Sequence, residues 1–567
     1  MQLLFKPLIR RLDPADFLVF SMVGALIYMI ISAGGSWHGS QMPVLRISLG
    51  TVSFVEYSIL SLARALLAYV VSLVLAIMLG AWAAHDPQAR RFILAVCDLF
   101  QGVPVLAALP GLMLAMFWLV PRSGLGPELA CLLVLVGVQV WTMSRSVYDS
   151  LQAIPEDFRA VSRLSRLTRW QTFRKIELPL CLNHLAHTGL ATMAGSWFFL
   201  SICEAFTLDG THFLLPGLGS YMAHAAAEHN VPAQCAALGT MAGILLLTDW
   251  FVWRPIIRHT KKYTTLVDTG ETDQKIRLWE RLKNAEFTHH TLSVFRLFFH
   301  TPLWLGLRRV LHLARVALVV LVRPVWWIIL MALVAAAAYL CTQLLAILWD
   351  IEPAQWAGLL RQLGRTLLRV VAALLLSSLW AIPLGLVVGL NHPRARQLQP
   401  VIGFVSAFPT PMLFPVLSSC ILLLGGSLQW GSVLLMAVAI QGIILQHVIS
   451  GVSAIPRDLI DTMAFCKVSR FDRWRLLFLP AMLPRLMVGW AMAAGLAWNA
   501  ALVAEYVLLS HTYLKTSGIG STLILAASHG HLQILAAAMV LLAAATILLN
   551  RLFWNPLCQM AEKRYTY

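Results

Sequence analysis

The sequence predicts an all-α polytopic membrane protein with about 12 transmembrane helices, arranged as two parallel six-helix repeats. Apolar residues make up 59% of the 567-residue chain and charged residues only 12%, which is more apolar surface than a soluble core can bury. Several apolar runs pass the roughly 18–20 residues that a helix needs to cross a bilayer. A polar segment occurs twice, at 154–179 and again 301 positions later at 455–480. These observations together indicate a duplicated membrane domain.

Apolar runs define six predicted spans in each half. In the first half they lie at 15–33, 59–84, 92–120, 128–148, 182–206 and 232–254. In the second half they lie at 325–349, 363–390, 398–424, 430–450, 484–509 and 531–555. The chain therefore divides into a first repeat (1–255), a linker (256–322) and a second repeat (323–567). The linker mixes both signs of charge with aromatic residues, which predicts one or two helices lying on the inner membrane face.

Basic residues set the predicted orientation. They gather before the first span, around Arg90 and Arg91, in the repeated polar segment, in the linker and at Lys563–Arg564, and all of these segments fall on one side. The positive-inside rule makes that side cytoplasmic, so both termini are predicted to be cytoplasmic. The halves are then parallel repeats related by an axis along the membrane normal. Because the net charge of +17 resides in connecting segments, membrane lipid is expected as a partner and nucleic acid is not.

The repeated polar segment has an unusual period. Phe158, Val161, Leu164, Leu167 and Trp170 recur at every third residue, with basic residues in many of the gaps. One uninterrupted α-helix would rotate such a stripe away from a single face, so the pattern favours two short helices with a turn between them. One amphipathic helix lying on lipid is the alternative. A hairpin at the same place in each half suits a partner with two similar docking sites.

Four ionisable residues lie near the predicted outer ends of spans. Arg64 and Arg369 occupy matching places in the second span of each half, and Glu204 and Glu505 end the fifth spans. Charged groups at such positions are unfavourable unless they pair or reach water. We therefore expect two ion pairs, Arg64–Glu204 and Arg369–Glu505, that brace an outer gate. Side chains that snorkel separately to the interface are the alternative.

Each of these glutamates is followed by a Gly-x-Gly segment, at 215–222 and 516–523. The glycines suit a tight outer loop or a partly inserted turn beside a vestibule. His511, Tyr513 and Lys515 could attract an anion there. The histidine pairs 184/187 and 224/229 form no HExxH motif, and the nine cysteines form no CxxC pair, so no metal site is expected.

The polar segments resemble the cytoplasmic loop of importer-type ABC permeases, whose pattern runs EAA, three residues, Gly, nine residues, then Ile-x-Leu-Pro. The segment 367–389, LLRVVAALLLSSLWAIPLGLVVG, and the AWNAALVAEYV stretch resemble permeases of the nitrate, sulfonate and taurine class. The resemblance implies a fused double permease of an ATP-driven importer for a small anion. It also implies two copies of an ABC ATPase subunit and an extracytoplasmic solute-binding protein as partners. No GxxxxGK[ST] phosphate loop occurs, so ATP and magnesium are expected on the partner and no cofactor or enzymatic activity on this chain.

The two loops contain ten candidate coupling residues, eight at positions of the family pattern and two, Trp170 and Phe471, from the apolar stripes of the loops. They are Ala160, Ser162, Arg166, Trp170 and Pro179 in the first loop, and Asp461, Met463, Lys467, Phe471 and Pro480 in the second. The family's acidic residue is kept only as Asp461, and its glycine is replaced by Arg166 and Lys467. A left-handed turn at a residue with a β-carbon costs roughly 1–2 kcal/mol, so we expect the turn to be reshaped or the strain to be offset by new contacts.

Two other classes of function remain open at this point. An ion-coupled secondary transporter also has 12 spans in parallel halves, but it would need acidic or histidine relays at mid-membrane. A membrane-embedded transferase would need a concentrated acidic or metal site.

Overall fold

The structure, a computed structural model, describes residues 47–102, 104–120, 125–208, 211–260, 335–336, 338–509 and 512–565. Predicted span 15–33, nearly all of the predicted linker 256–322 and the start of predicted span 325–349 lie outside these ranges. The described chain is almost entirely helical, as predicted, with two short β-hairpins in addition.

The described part of the first half contains ten helices and one β-hairpin. They are α1 (Thr51–His85), α2 (Pro87–Gly102), α3 (Leu109–Leu119), α4 (Leu125–Gln152), α5 (Glu156–Leu164), α6 (Arg169–Thr172), α7 (Leu178–Glu204), β1 (Ala205–Leu208), β2 (Thr211–Leu214), α8 (Leu218–Ala227), α9 (Val231–Thr248) and α10 (Arg254–Thr260). A 3₁₀ segment, Val105–Ala108, precedes α3, and π-helical turns lead into α7 and α10.

From Pro353 onward, the second half repeats this order. Its elements are α11 (Ala338–Trp349), α12 (Pro353–Leu390), α13 (His392–Ala407), α14 (Phe414–Leu423), α15 (Leu428–Ser453), α16 (Arg457–Phe465), α17 (Arg470–Arg473), α18 (Leu479–Ala504), β3 (Tyr506–Leu509), β4 (Thr512–Lys515), α19 (Ile519–Ser528), α20 (Leu532–Leu549) and α21 (Asn555–Tyr565). A 3₁₀ segment, Thr410–Met412, precedes α14, and π-helical turns lead into α18 and α21.

Among the described residues, seven helical segments are long and apolar enough to cross a membrane. They correspond to seven of the twelve predicted spans. The predicted span 182–206 is found as α7, which is long enough but is not among the seven. Its sequence carries Asn183, His184 and His187 within the first turns, which lowers its mean hydropathy.

The predicted spans 92–120 and 398–424 are corrected by the structure, since neither is a single helix. Each breaks at a proline with an extended backbone, Pro104 (ψ 108°) in the first half and Pro409 (ψ 96°) in the second. Proline has no N–H to donate and disfavours helical geometry in the residue before it. The break is followed in both halves by a short 3₁₀ segment and a further apolar helix.

Small residues bring the long helices close together. Along α1, Ala68, Ser72, Ala76 and Gly80 are all buried at intervals of four residues. A β-carbon at Gly80 would lie 2.6 Å from Cβ of Val147 on α4, and one at Gly385 would lie 2.6 Å from Cγ1 of Val448 on α15. Such small residues are typical of helix contacts in membranes. Large apolar side chains such as Val70 and Val74 on the other face of α1 are exposed and indicate a lipid-facing surface.

The two halves interlock through their proline breaks. The 3₁₀ segment of the first half packs against α18, and the 3₁₀ segment of the second half packs against α7. Across the first of these contacts, the backbone N–H of Leu106 donates to Oδ1 of Asn499 at 3.3 Å. The core consequently runs continuously from one half into the other.

The β-hairpins extend the carboxyl ends of α7 and α18. Strand β1 pairs antiparallel with β2, and β3 with β4, in the same register. These hairpins were not predicted. The Asp209–Gly210 dipeptide, a common hairpin signal, was available in the sequence of the first half, but the second half has Ser510–His511 at the corresponding place.

Candidate functional site

The carboxylate of Glu204 lies in a closed polar pocket at the end of α7, and only 1% of the side chain is exposed. Its Oε1 accepts from Nη1 of Arg64 at 2.8 Å and from Oγ of Ser61 at 2.7 Å. Its Oε2 accepts from the backbone N–H of Gly219 at 2.8 Å. We call this arrangement of α1, the glutamate and the glycine segment the first cradle.

The Gly-x-Gly segment forms one wall of the first cradle. A β-carbon at Gly217 would overlap the carboxylate of Glu204, which would have to move away to make room. The hydroxyl of Ser61 accepts from the backbone N–H of Leu218 at 2.8 Å while it donates to the glutamate. The hydroxyl of Ser220 closes the loop by donating to the carbonyl of Leu215 at 2.6 Å. The glycine segment is therefore built around the carboxylate.

The second half contains the same pocket, which we call the second cradle. Glu505 is fully buried, and its Oε1 accepts from Nη1 of Arg369 at 2.9 Å and from Oγ1 of Thr366 at 2.7 Å. Its Oε2 accepts from the backbone N–H of Gly520 at 2.9 Å. A β-carbon at Gly518 would overlap this carboxylate as well.

Both arginines also fasten the glycine segment directly. Nη1 of Arg64 donates to the carbonyl oxygen of Pro216 at 2.8 Å, and Nη1 of Arg369 donates to that of Ser517 at 2.8 Å. The structure thus brings together the side chains of both ion pairs expected from the sequence. Each arginine is hydrogen-bonded within its own half, so separate snorkelling does not describe it.

The two cradles differ in what else the arginine binds. Nε and Nη2 of Arg64 donate to the two oxygens of Glu128 on α4, both at 2.6 Å, in a bidentate pair. Arg369 has no such partner among the described residues; its Nη2 donates instead to Oγ1 of Thr516 at 2.9 Å. By the 301-residue spacing, Glu128 corresponds to Gln429, which is exposed.

This difference changes the local charge. Two carboxylates share one guanidinium in the first cradle, whereas one carboxylate faces one guanidinium in the second. Glu128 is 36% exposed, so water solvates it partly, while both Glu204 and Glu505 depend on the protein for solvation. Sequence reasoning missed Glu128 because it lies at the first turn of a predicted span, where an acidic residue is unremarkable.

The repeated polar segments are helical hairpins with the predicted turn, which separates a first short helix from a second helix that begins a long uninterrupted one. In the first hairpin α5 is followed by a turn and then by α6, whose N-terminus is capped by Thr168: Oγ1 accepts from the backbone N–H of Gln171 at 3.3 Å. Ser469 caps α17 in the same way at 3.1 Å. From α6 and α17 the chain continues helically into α7 and α18.

The turn between the short helices is left-handed in both hairpins. Arg166 has φ 48° and Lys467 has φ 51°. In each case two backbone hydrogen bonds close the preceding helix. The N–H of Arg166 donates to the carbonyl oxygen of Arg163, and the N–H of Leu167 to that of Ser162. Both bonds recur at the corresponding positions of the second helical hairpin. This is the Schellman arrangement, which normally has glycine at the left-handed position. The turn is therefore kept in its left-handed form.

The other residues of the predicted coupling set are spread over both hairpins. Ala160 and Met463 are half-buried, Asp461, Trp170 and Phe471 are exposed, Ser162 is buried against Thr172, and Pro179 and Pro480 stand at the starts of α7 and α18. No contact between the hairpins and the cradles exists, since the 27 residues of α7 separate them by about 40 Å. Of the residues expected to attract an anion, His511 lies outside the described residues, and Tyr513 and Lys515 belong to β4.

Comparison with known proteins finds a family model that matches most of the chain. The model described as "Binding-protein-dependent transport system inner membrane component" matches residues 73–252 and again 381–553. Each matched segment contains one of the two helical hairpins and one of the two buried glutamates, Glu204 or Glu505.

Several characterised permeases are similar to parts of the chain. A nitrate import permease from Leptolyngbya laminosa is 27% identical over 29% of this chain and 54% of its own length. A bicarbonate transport permease from Synechococcus elongatus is 25% identical over 34% of this chain and 66% of its own length. A choline transport permease from Bacillus subtilis is 28% identical over 27% of this chain and 60% of its own length. The chain thus spans between half and two thirds of each of these relatives.

Proposed function

Because this chain belongs to the family of binding-protein-dependent transport system inner membrane components, we propose that it forms the transmembrane pathway of an ATP-driven importer. The observation that carries the proposal is the double match of the family model, with a protruding helical hairpin at the same place in each matched segment. A single chain then supplies both halves of the pathway. ATP hydrolysis takes place on separate subunits.

We propose that the two hairpins are the docking sites for two copies of an ABC ATPase subunit. Each hairpin exposes aromatic side chains, Trp170 in the first and Phe471 in the second, that no other described part of the chain covers. Exposed aromatic residues of this kind are common anchors at protein interfaces. On this proposal the hairpins and both termini are cytoplasmic in a bacterial inner membrane, and a solute-binding protein delivers substrate to the opposite side.

The two cradles are then parts of an outer gate. Each ties the end of α7 or α18 to α1 or α12 and to the glycine segment, about 40 Å from the hairpins. A buried ion pair that joins three elements in one geometry favours a single arrangement of those elements. Movement of the hairpins by the ATPases would be transmitted along α7 and α18 to these pockets.

We propose a small anion as the substrate. The names of several relatives specify nitrate, bicarbonate and taurine, while those of others specify choline and carnitine. The matches to permeases for anionic or sulfonated solutes support an anionic substrate.

The test is uptake by the reconstituted complex. Proteoliposomes that contain the permease, its ATPase subunits and its solute-binding protein would be loaded with ATP and given labelled nitrate, bicarbonate, taurine or choline in turn. We expect uptake of one of the first three solutes that stops without ATP. Uptake of choline alone would contradict the anion, and uptake driven by an ion gradient without ATP would identify a secondary transporter instead.

A further inference from the structure

The apex of each hairpin carries a basic residue in a conformation that ordinarily belongs to glycine. Among the described residues only three residues other than glycine have a positive φ, and two of them are Arg166 and Lys467. They stand at corresponding positions of the two hairpins. A left-handed residue with a β-carbon costs roughly 1 kcal/mol relative to glycine, so each hairpin maintains a strain that one substitution would remove.

Nothing within the described chain offsets this strain through the side chain. Both side chains are exposed, and the contacts at the two turns are made by backbone atoms. Neighbouring cations behave differently: the guanidinium groups of Arg159 and Arg163 lie 3.3 and 3.7 Å from the carboxylate of Glu156. Strained residues that the fold itself does not require are typical of functional sites.

The position of the apex identifies the kind of partner. From residue 169 the chain is helical without interruption up to Glu204, and the predicted span begins at 182. The apex therefore stands about 20 Å outside the predicted span, at 1.5 Å per residue. Attraction to lipid headgroups falls off over a Debye length of about 8 Å, so a soluble partner accounts better for the charge than the membrane does.

The surroundings of the apex indicate a protein interface. Leu164 is 83% exposed and Phe465 is 89% exposed, and each lies two residues before the basic residue of its hairpin. Trp170 and Phe471 follow four residues after it and are exposed as well. A cation between exposed apolar anchors matches an interface in which the anchors fill a groove and the charge meets a carboxylate.

We propose that Arg166 and Lys467 each bind an acidic side chain in the docking groove of an ABC ATPase subunit. This charge contact offsets the strain that a side chain with a β-carbon introduces into the left-handed turn. This inference rests on the proposed function, because it assigns the contact within the docking site proposed above.

The test uses the tagged full-length permease in nanodiscs, with the ABC ATPase that co-purifies with it from native membranes and is identified by its phosphate-loop sequence. Three substitutions are made at each apex. Arg166→Gly and Lys467→Gly remove charge and strain together, Arg166→Asn and Lys467→Asn remove charge in a residue that tolerates the turn, and Arg166→Lys with Lys467→Arg keeps the charge. Arg361→Asn, an exposed cation on α12 far from the hairpins, is the control.

We expect the glycine and asparagine variants to bind the ATPase about fivefold more weakly at each apex, as the loss of one solvent-exposed charge pair predicts. Their affinity should also depend less on salt, whereas the charge-keeping exchange and Arg361→Asn should behave as the parent protein. The thermal midpoint of the glycine variants should be unchanged or higher, since strain is removed. A lowered midpoint would assign Arg166 and Lys467 to folding and overturn the proposal.

Three further outcomes are decisive. If the glycine and asparagine variants bind the ATPase as tightly as the parent, the basic side chains are not contacts and the inference fails while docking at the hairpins stands. If the effect occurs in nanodiscs of phosphatidylcholine with phosphatidylglycerol but not in phosphatidylcholine alone, lipid is the partner. If no ABC ATPase binds the parent protein, the proposed function and the inference fail together.

Discussion

The first and second cradles hold the same geometry with different charge. In both, a buried glutamate accepts from an arginine, a hydroxyl and the backbone of a glycine segment. Among the described residues, Arg64 has a second carboxylate partner, Glu128, whereas Arg369 donates to a neutral hydroxyl. The geometry common to both cradles therefore requires one ion pair and the glycines. We expect the additional carboxylate to make Arg64 less dependent on its glutamate than Arg369 is.

The largest expected effect follows from Glu505→Ala. The substitution leaves Arg369, whose side chain is only 11% exposed, with no carboxylate partner among the described residues, and breaking a buried pair in this way costs about 3–5 kcal/mol. Glu204→Ala should cost clearly less, because Arg64 keeps its bidentate pair with Glu128. The measurement is the apparent thermal midpoint of the purified protein, with the yield of folded protein as a second readout.

A double-mutant cycle separates the pair from its surroundings. Arg369→Ala combined with Glu505→Ala should be less destabilised than the sum of the single variants, because no unpaired charge remains. Additive effects would show that Arg369 and Glu505 do not depend on each other. Equal losses for Glu204→Ala and Glu505→Ala would remove the distinction between the cradles.

Gly217→Ala and Gly518→Ala should each cost about 1–3 kcal/mol, as expected for overpacking of a closed site. In both cradles the new methyl group would overlap the glutamate carboxylate, so the carboxylate must move away from its donors. The two variants should be alike, since this wall is common to both halves. Gly239→Ala, on α9 where no atom lies within 4 Å of the added carbon, is the control in the same thermal assay.

Glu128→Gln gives the first cradle the residue found at the matching place in the second half. The side chain is partly exposed, so the substitution alone should cost no more than about 1 kcal/mol. Its diagnostic effect is on the neighbouring pair: in the Glu128→Gln background, Glu204→Ala should become as damaging as Glu505→Ala. If Glu204→Ala is equally mild in both backgrounds, Glu128 does not neutralise Arg64.

The smallest effect, and one of opposite sign, is expected for Gln139→Ile. Gln139 on α4 is fully buried, and neither of its amide atoms has a hydrogen-bond partner in the described chain. Ile440 occupies the matching place in the second half. Replacing an unsatisfied amide with an apolar side chain of similar size should leave the thermal midpoint unchanged or raise it. The corresponding gain in the free energy of unfolding is about 1 kcal/mol or less. A lower midpoint would indicate that the amide binds a partner beyond the described residues.

The sequence predicted those features that depend on local pattern. Apolar runs predicted the long helices, and the three-residue period of the polar segments predicted two short helices rather than one. Matching positions in the duplicated halves predicted the pairing of Arg64 with Glu204 and of Arg369 with Glu505. In each case the repeat provided a second, independent copy of the pattern.

Features that depend on contacts between distant segments were not predicted. The proline breaks lie inside apolar runs whose hydropathy alone looks continuous, and the carboxylate pocket explains the Gly-x-Gly segments only when α7 and the loop after it are seen together. The link between Arg64 and Glu128 joins residues on two helices and has no counterpart among the described residues of the second half. At Arg166 and Lys467 the sequence indicated strain, and the structure shows that the left-handed turn is retained.

The hydrogen bond between Leu106 and Asn499 bears on how the two halves recognise each other. By the 301-residue spacing Asn499 corresponds to Phe198, which has no acceptor in its side chain. Two copies of the first half would therefore bury the Leu106 N–H against an aromatic ring, and an unsatisfied buried donor costs about 1–3 kcal/mol. One asparagine thus disfavours self-pairing of the first half and favours the mixed pair. Joining the halves in one polypeptide serves the same end, because it delivers the two unlike partners together and in equal number.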